Sequence, residues 1–341
     1  MAIRLSVLDQ SLVFEGETDA EAIGHTIELA QIAEKLGYYR FWVAEHHDSA
    51  QMAGSAPEVL IAHLLAKTSK MRIGSGGVML QHYSPYKVAE QFNVLACLAP
   101  GRVDLGIGRA PGGLPRSTRA LQQGQGDGRP LEDKLRELRQ YLHNKLEDHH
   151  PLLGLQATPI PPQPAAVYLL GASVASAELA AGLGLPYVFA LFINNDESIA
   201  YEAVNAYRKR LAAAGHPHCQ PLLALPIIVA DSDEEAKQLA KHQKIVKIHL
   251  ESGKTLTVTS EELAEEFGRQ TTEKYRIEVK EARIIAGSKA TVGAKLRQLQ
   301  QRLGVAEFIA ISVIQDFSKR VRSYELLKEA VAESFPKQGE P

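Results

Sequence analysis

The stretch FWVAEHHD at residues 41–48 ends an apolar run on one carboxylate and two imidazoles. Ionisable side chains at the end of a buried strand are costly unless they are paired or used. Glu45, His46 and His47 therefore form either a hydrogen-bonded structural knot or the edge of an active site. Adjacent imidazoles also suggest a metal, with His82 as a third ligand. Neighbours on a strand point to opposite faces, however, and no carboxylate–histidine cluster follows the later strands. No metal site is expected. There is no G-x-S-x-G nucleophile elbow, and neither Cys97 nor Cys219 lies at a strand end.

A second group of residues has the chemistry of an anion site. Ser173 and Ser176 open a helical segment directly after Gly171, where free backbone N–H groups and the helix dipole favour negative charge. Arg109 adds a forked cation suited to phosphate. The plainer alternative makes Ser173 an ordinary N-cap and Arg109 one half of a surface ion pair. The residues alone leave both alternatives open.

These groups must be positioned by the elements around them. Short apolar runs at 3–8, 39–44, 71–80, 103–108, 167–170, 187–192, 222–230 and 307–313 read as strands. Helical spacing separates or follows them at 19–36, 57–67, 85–99, 131–146, 173–184, 197–214 and 320–333. Pro57 and Pro85 open two of these helices, and Gly37 closes the first. Eight strands alternating with helices predict an α/β fold of the (β/α)8 TIM-barrel class, which uses about 250 residues. A two-domain Rossmann arrangement lacks its fingerprint. Gly106, Gly108 and Gly112 read G-x-G-x-x-x-G, with no helical run directly behind. Barrel strands present reacting groups at their C-terminal ends. Here those ends carry Asp9 and Gln10, the Glu45 cluster, Gly76–Gly77, Gly108–Arg109, Gly171–Ala172–Ser173, residues 192–194 and Asp231.

Residues 109–130 read as a long irregular loop, and 151–164 as a proline-rich connector. Between strands seven and eight lies an excess of about 75 residues. Within it, 234–250 reads as helix, 260–267 as a short helix with a Ser-x-x cap, and 251–285 as charged and weakly periodic. Residues 231–290 thus form an insertion, packed either on the outside of the barrel or as a lid over its mouth. One domain is expected over 1–335, followed by a tail at 336–341.

Composition narrows the class. The chain has 341 residues, 45% hydrophobic and 23% charged, with a formal net charge of −2. That balance gives no electrostatic footprint for nucleic acid or membrane. No apolar run approaches the roughly 20 residues of a spanning helix. The N-terminus lacks the order of a signal peptide, so a cytoplasmic location is expected.

Longer motifs carry a resemblance. FWVAEHHDS (41–49), RIGSGGVMLQHYSPYKVAEQF (72–92), PGRVDLGIGRAPGG (100–113), LLGASVASAELAAGLGLP (169–186) and VRSYELLKEAV (321–331) resemble the bacterial luciferase-like, flavin-dependent monooxygenases in order and spacing. They cover most of residues 1–190 and the C-terminal end. The resemblance implies a (β/α)8 barrel binding flavin mononucleotide (FMN), reduced by a separate flavin reductase. It implies that dioxygen attacks a small organic substrate by way of a flavin hydroperoxide. His46 then matches the catalytic histidine, with Glu45 beside it to orient it. Arg109, Ser173 and Ser176, with the neighbouring Ala172, match the flavin phosphate contacts. Gly76–Gly77 matches a cis pair beside the flavin ring. A homodimer is expected. A deazaflavin-dependent hydride-transfer enzyme and a non-catalytic flavin-binding protein of the same fold are the alternatives. Residues 231–290 match by no motif, so the substrate is left open.

Overall fold

Strands and helices alternate from the start of the chain. In order they are β1 (Arg4–Asp9), α1 (Asp19–Lys35), β2 (Arg40–Val43), α2 (Pro57–Lys67), β3 (Arg72–Val78), α3 (Pro85–Leu98) and β4 (Val103–Ile107). Then come α4 (Pro115–Gln122), α5 (Leu131–Leu142), β5 (Ala166–Gly171), α6 (Val174–Gly182), β6 (Tyr187–Ala190), α7 (Leu191–Asn194), α8 (Glu197–Ala213) and β7 (Leu222–Val229). The insertion supplies α9 (Asp233–Leu239), β8 (Lys244–Leu250), β9 (Thr255–Val258), α10 (Glu261–Gln270), β10 (Tyr275–Glu281) and β11 (Ile285–Gly287). The chain closes with α11 (Lys289–Leu303), β12 (Glu307–Ile311) and α12 (Phe317–Ser334). This computed structural model describes residues 3–123, 128–215, 219–241, 243–258 and 260–335, so the expected tail at 336–341 lies outside the described residues.

The strands β1 to β7 and β12 pair in parallel, and β12 returns to β1. The result is a closed eight-stranded (β/α)8 barrel, with β11 paired along the upper half of β7. Helix starts follow cap chemistry. Thr18 accepts from the Glu21 amide in a reciprocal capping box before α1, while Pro57 and Pro85 lead α2 and α3. Gly37, at φ +74°, takes the left-handed turn that ends α1.

Alternation along each strand divides the core in two. Val7, Phe41, Val43, Ile73, Leu105 and Ile107 pack outward against the helices. Leu8, Trp42, Leu170, Val188, Ala224, Ile309 and Ile311 fill the barrel itself. Its floor is charged. Arg40 places Nε and Nη2 on Glu307 at 2.7 and 3.1 Å and Nη1 on Asp104 at 2.7 Å. Arg72 also binds Asp104, and Ser6 donates to Glu307.

Four segments depart from the expectation. Residues 234–250 are not one helix: α9 ends at Leu239 and β8 begins at Lys244. Val246 and Ile248 are fully buried with one polar residue between them, the period of a strand. β8 pairs antiparallel with β9 and β10, so the weakly periodic 251–285 contains sheet as well as helix. The loop at 109–130 contains α4, opened by Pro115. Strand six stops at Ala190, where a helical turn takes over. The expected Ser-x-x cap is present, with Ser260 Oγ accepting from the Leu263 amide.

The insertion leans on the loops that follow β4 and β6. Leu114 joins Val246, Ile248, Ala264 and Phe267 in a small separate core. Lys247 Nζ donates to the Asn194 carbonyl at 3.0 Å. Asn195 donates to the Glu281 carbonyl and accepts from the Arg283 amide.

Candidate active site at the mouth of the barrel

His46 shares its parity with Arg40, Trp42 and Ala44, all of which line the barrel interior. Beyond the strand its amide is held by the Gly54 carbonyl at 2.8 Å. Its Nδ1 is buried and has no hydrogen-bond partner among the described residues. Burial pushes the imidazole down to about 4; the neighbouring His47 adds to the drop and Glu45 opposes it. His46 is therefore neutral near pH 7 and able to accept a proton.

Glu45 and His47 share the other parity, that of Phe41 and Val43. The Glu45 carboxylate is 1% exposed. It accepts from His47 Nε2 at 2.8 Å, the Tyr83 hydroxyl at 2.8 Å and the Met79 amide at 3.1 Å. No hydrogen bond joins it to His46 among the described residues. Its bonds thus tie the end of β2 to the turn after β3 and do not orient His46. Burial and the facing Glu45 carboxylate hold the Tyr83 phenol above its ordinary range, so it stays a neutral donor. His82 is also occupied. Its Nε2 meets the Pro111 carbonyl at 2.6 Å, and Gln122 donates to its Nδ1 at 3.1 Å. These partners tie its ring to the loop after β4.

One wall of the barrel is backbone. The Gly76–Gly77 peptide is cis. A Cβ on Gly76 would lie 2.7 Å from Leu8 Cδ1, and one on Gly77 would lie 2.6 Å from the Gly106 carbonyl oxygen. A Cβ on Gly106 in β4 would lie 2.2 Å from the Ser75 carbonyl oxygen, and one on Gly108, just past β4, would lie 2.9 Å from Met79 Sδ. Only glycine permits so close an approach of β3 and β4.

The phosphate candidates converge on the next two strand ends. Ile107 pairs with Leu169, so Arg109 and Gly171 leave the sheet at one level on adjacent strands. Arg109 is exposed, and no ion pair engages it among the described residues. Its carbonyl accepts from Gln81 Nε2. Ser173 is the N-cap of α6, in a reciprocal box with Ser176. The amides of Val174 and Ala175 open α6 with no partner among the described residues, the free N–H groups expected at this helix start. Ala172 lies just before them, and its carbonyl accepts from Asn194 Nδ2 at 2.6 Å. Asp9 is spent elsewhere, on the Ser11 amide and the Thr26 hydroxyl of α1. Asp231 pairs with Arg322.

A closed parallel barrel with a buried imidazole and the open start of α6 at the C-terminal ends of its strands has the layout of a TIM-barrel enzyme. The family model for luciferase-like monooxygenases matches residues 3–307. An N-acetyl-S-alkylcysteine monooxygenase of Bacillus subtilis (strain 168) is 44% identical over 330 residues, covering 96% of this chain and 98% of its own. The solved structure of apo-MsnO8 superposes with a TM-score of 0.78 at 37% identity, covering 97% of this chain and 98% of its own. At 18% identity, where likeness speaks for the fold alone, the oxygenating constituent of 3,6-diketocamphane monooxygenase from Pseudomonas putida, solved with FMN, gives a TM-score of 0.71 over the whole of both chains. The chain belongs to the luciferase-like monooxygenase family.

Proposed function

We propose that this protein binds FMN at the barrel mouth and, with FMN reduced by a separate flavin reductase and with dioxygen, oxygenates a small organic substrate. One observation carries the reading. An unpartnered, neutral imidazole at inward parity shares the mouth with a glycine wall whose packing leaves no room for side chains. A flat backbone surface suits a planar ring, and the open amides of α6 with Arg109 suit its phosphate. Reduced FMN, when bound, supplies the two electrons with which one oxygen atom enters the substrate and the other leaves as water. The protein holds the phosphate at α6 and Arg109, presents backbone to the ring, and accepts a proton at His46. The missing G-x-G-x-x-G fingerprint favours delivery of reduced flavin from elsewhere over an internal nicotinamide site. The relative at 44% identity makes a thioether of the N-acyl-cysteine type the substrate class to try first.

The test is aerobic turnover with reduced FMN and N-acetyl-S-methylcysteine. Oxygen uptake coupled to loss of the thioether is expected. Preferential binding of a deazaflavin, with hydride transfer and no oxygen uptake, overturns the reading. Arg109→Ala should remove a forked, charge-assisted contact worth about 1.5–3 kcal/mol, weakening FMN about tenfold or more. Riboflavin affinity should hold, and equal loss of both flavins would show that Arg109 does not meet the phosphate.

The insertion is the cover of this site in the same reading, because its attachments at Leu114 and Asn194–Asn195 flank the β5 end that carries the phosphate cradle. Limited proteolysis should cut within 251–285 more slowly when reduced FMN is bound. Cleavage at the same rate with and without flavin argues for a passive insertion.

A further inference from the structure

We infer that Tyr187 and Ser176 are positioning residues that brace the phosphate cradle from behind and do not touch the phosphate. The inference rests on the FMN reading above and deepens it. Tyr187 is the first residue of β6 and is fully buried, its ring tilted against Tyr207 with centroids 5.7 Å apart. Its hydroxyl lies 2.8 Å from Ser176 Oγ and 3.1 Å from the Ser173 carbonyl. Ser176 Oγ is itself 2.7 Å from that carbonyl and accepts from the Ser173 amide at 3.2 Å.

A proton count then separates the two serines. The single Ser176 hydroxyl proton goes to the Ser173 carbonyl, while the oxygen faces the Ser173 amide, the Ser173 hydroxyl at 3.2 Å and the Tyr187 phenol. It has no donor left for an anion. Turning it outward would leave the buried Tyr187 hydroxyl with only the Ser173 carbonyl and would free the Ser173 amide. Gly171 belongs to the same arrangement, since a Cβ there would stand 2.2 Å from Ser176 Oγ. The donors that remain for a phosphate are the Val174 and Ala175 amides, joined by the Ser173 hydroxyl once it leaves Ser176 Oγ, to which it donates at 3.2 Å. Tyr187 reaches them only through Ser176 and the Ser173 carbonyl. Burial raises its phenol above the ordinary range, which keeps it a neutral donor there.

The experiment is a paired titration of the full-length protein with FMN and with riboflavin, for wild type, Tyr187→Phe, Ser176→Ala and the double variant. Thermal melting of each confirms folding. Wild type preferring FMN over riboflavin supports the phosphate reading itself, and no preference overturns that reading whatever the variants do. Given the preference, Tyr187→Phe should weaken FMN about three- to tenfold, the size of one hydrogen bond, and leave riboflavin within about twofold. The double variant should cost no more than Ser176→Ala alone, because both act through one cradle. FMN affinity unchanged by Tyr187→Phe, equal loss of both flavins, or additive costs in the double variant each overturns the inference. Should Tyr187→Phe fail to fold, Ser176→Ala decides: lost preference for FMN supports the brace, and retained preference overturns it.

Discussion

His46→Ala is expected to lower turnover by roughly 10²–10⁴-fold, the usual contribution of one positioned proton-transfer group. Folding and most flavin affinity should survive, because the imidazole's Nδ1 holds no partner among the described residues and the hydrogen bond to Gly54 is made by the His46 backbone amide. The neutral ring accepts protons, so the loss should fall on the step that needs a base and release more hydrogen peroxide per substrate consumed. Its pH dependence follows from burial. With its pKa pushed by burial from the ordinary 6.5 to about 4, the acid limb of the rate profile should lie near pH 4. The sign for folding is the same. The unfolded chain takes up this proton first, so His46 withdraws stability as pH falls from 6.5 towards 4. Stopped-flow turnover and oxygen balance across pH are the measurements. Full turnover in the alanine variant, or an acid limb near 6.5 that survives in it, removes His46 from the chemistry.

At the other end of the barrel, Asp104→Ala should destabilise the protein by about 3–5 kcal/mol, the cost of removing one partner of a buried ion pair. Asp104 is fully buried and receives Arg40 Nη1 at 2.7 Å, Trp42 Nε1 at 3.0 Å, and Arg72 Nε at 2.9 Å. Burial works against the Arg40 charge, yet Asp104 and Glu307 outweigh it and hold its pKa above the ordinary value. Without Asp104, the Arg72 fork and the indole N–H lose this acceptor, and Arg40 keeps Glu307 as its carboxylate partner. Exposed pairs such as Lys87–Glu90 should contribute little by comparison. Urea unfolding followed by tryptophan fluorescence reads the effect directly, since Trp42 is the sole tryptophan and lies in the network. A loss below about 1 kcal/mol would mean that the floor relaxes around the gap or admits water.

The sequence by itself determined the eight-strand alternation and the helices led by Pro57 and Pro85. It also determined the crowding of glycines on β3 and β4. All of these depend on residues only a few positions apart: period, cap chemistry and the room a glycine leaves. Residues 244–250 show where local reading fails. A seven-residue window of Ile245, Val246, Ile248 and Leu250 among charged residues suits a helix face as well as a strand. The choice was made by antiparallel pairing with 275–281, some thirty residues downstream. The direction of each polar bond was likewise decided only by the fold. Glu45 turns to Tyr83, thirty-eight positions away, because the adjoining β2 and β3 bring their ends together. Ser176 turns inward to Tyr187 because β6 lies beside β5, with Tyr187 level with Leu169. A hydrogen bond needs its partner within about 3 Å, and only a closed barrel brings residues that distant in sequence so near.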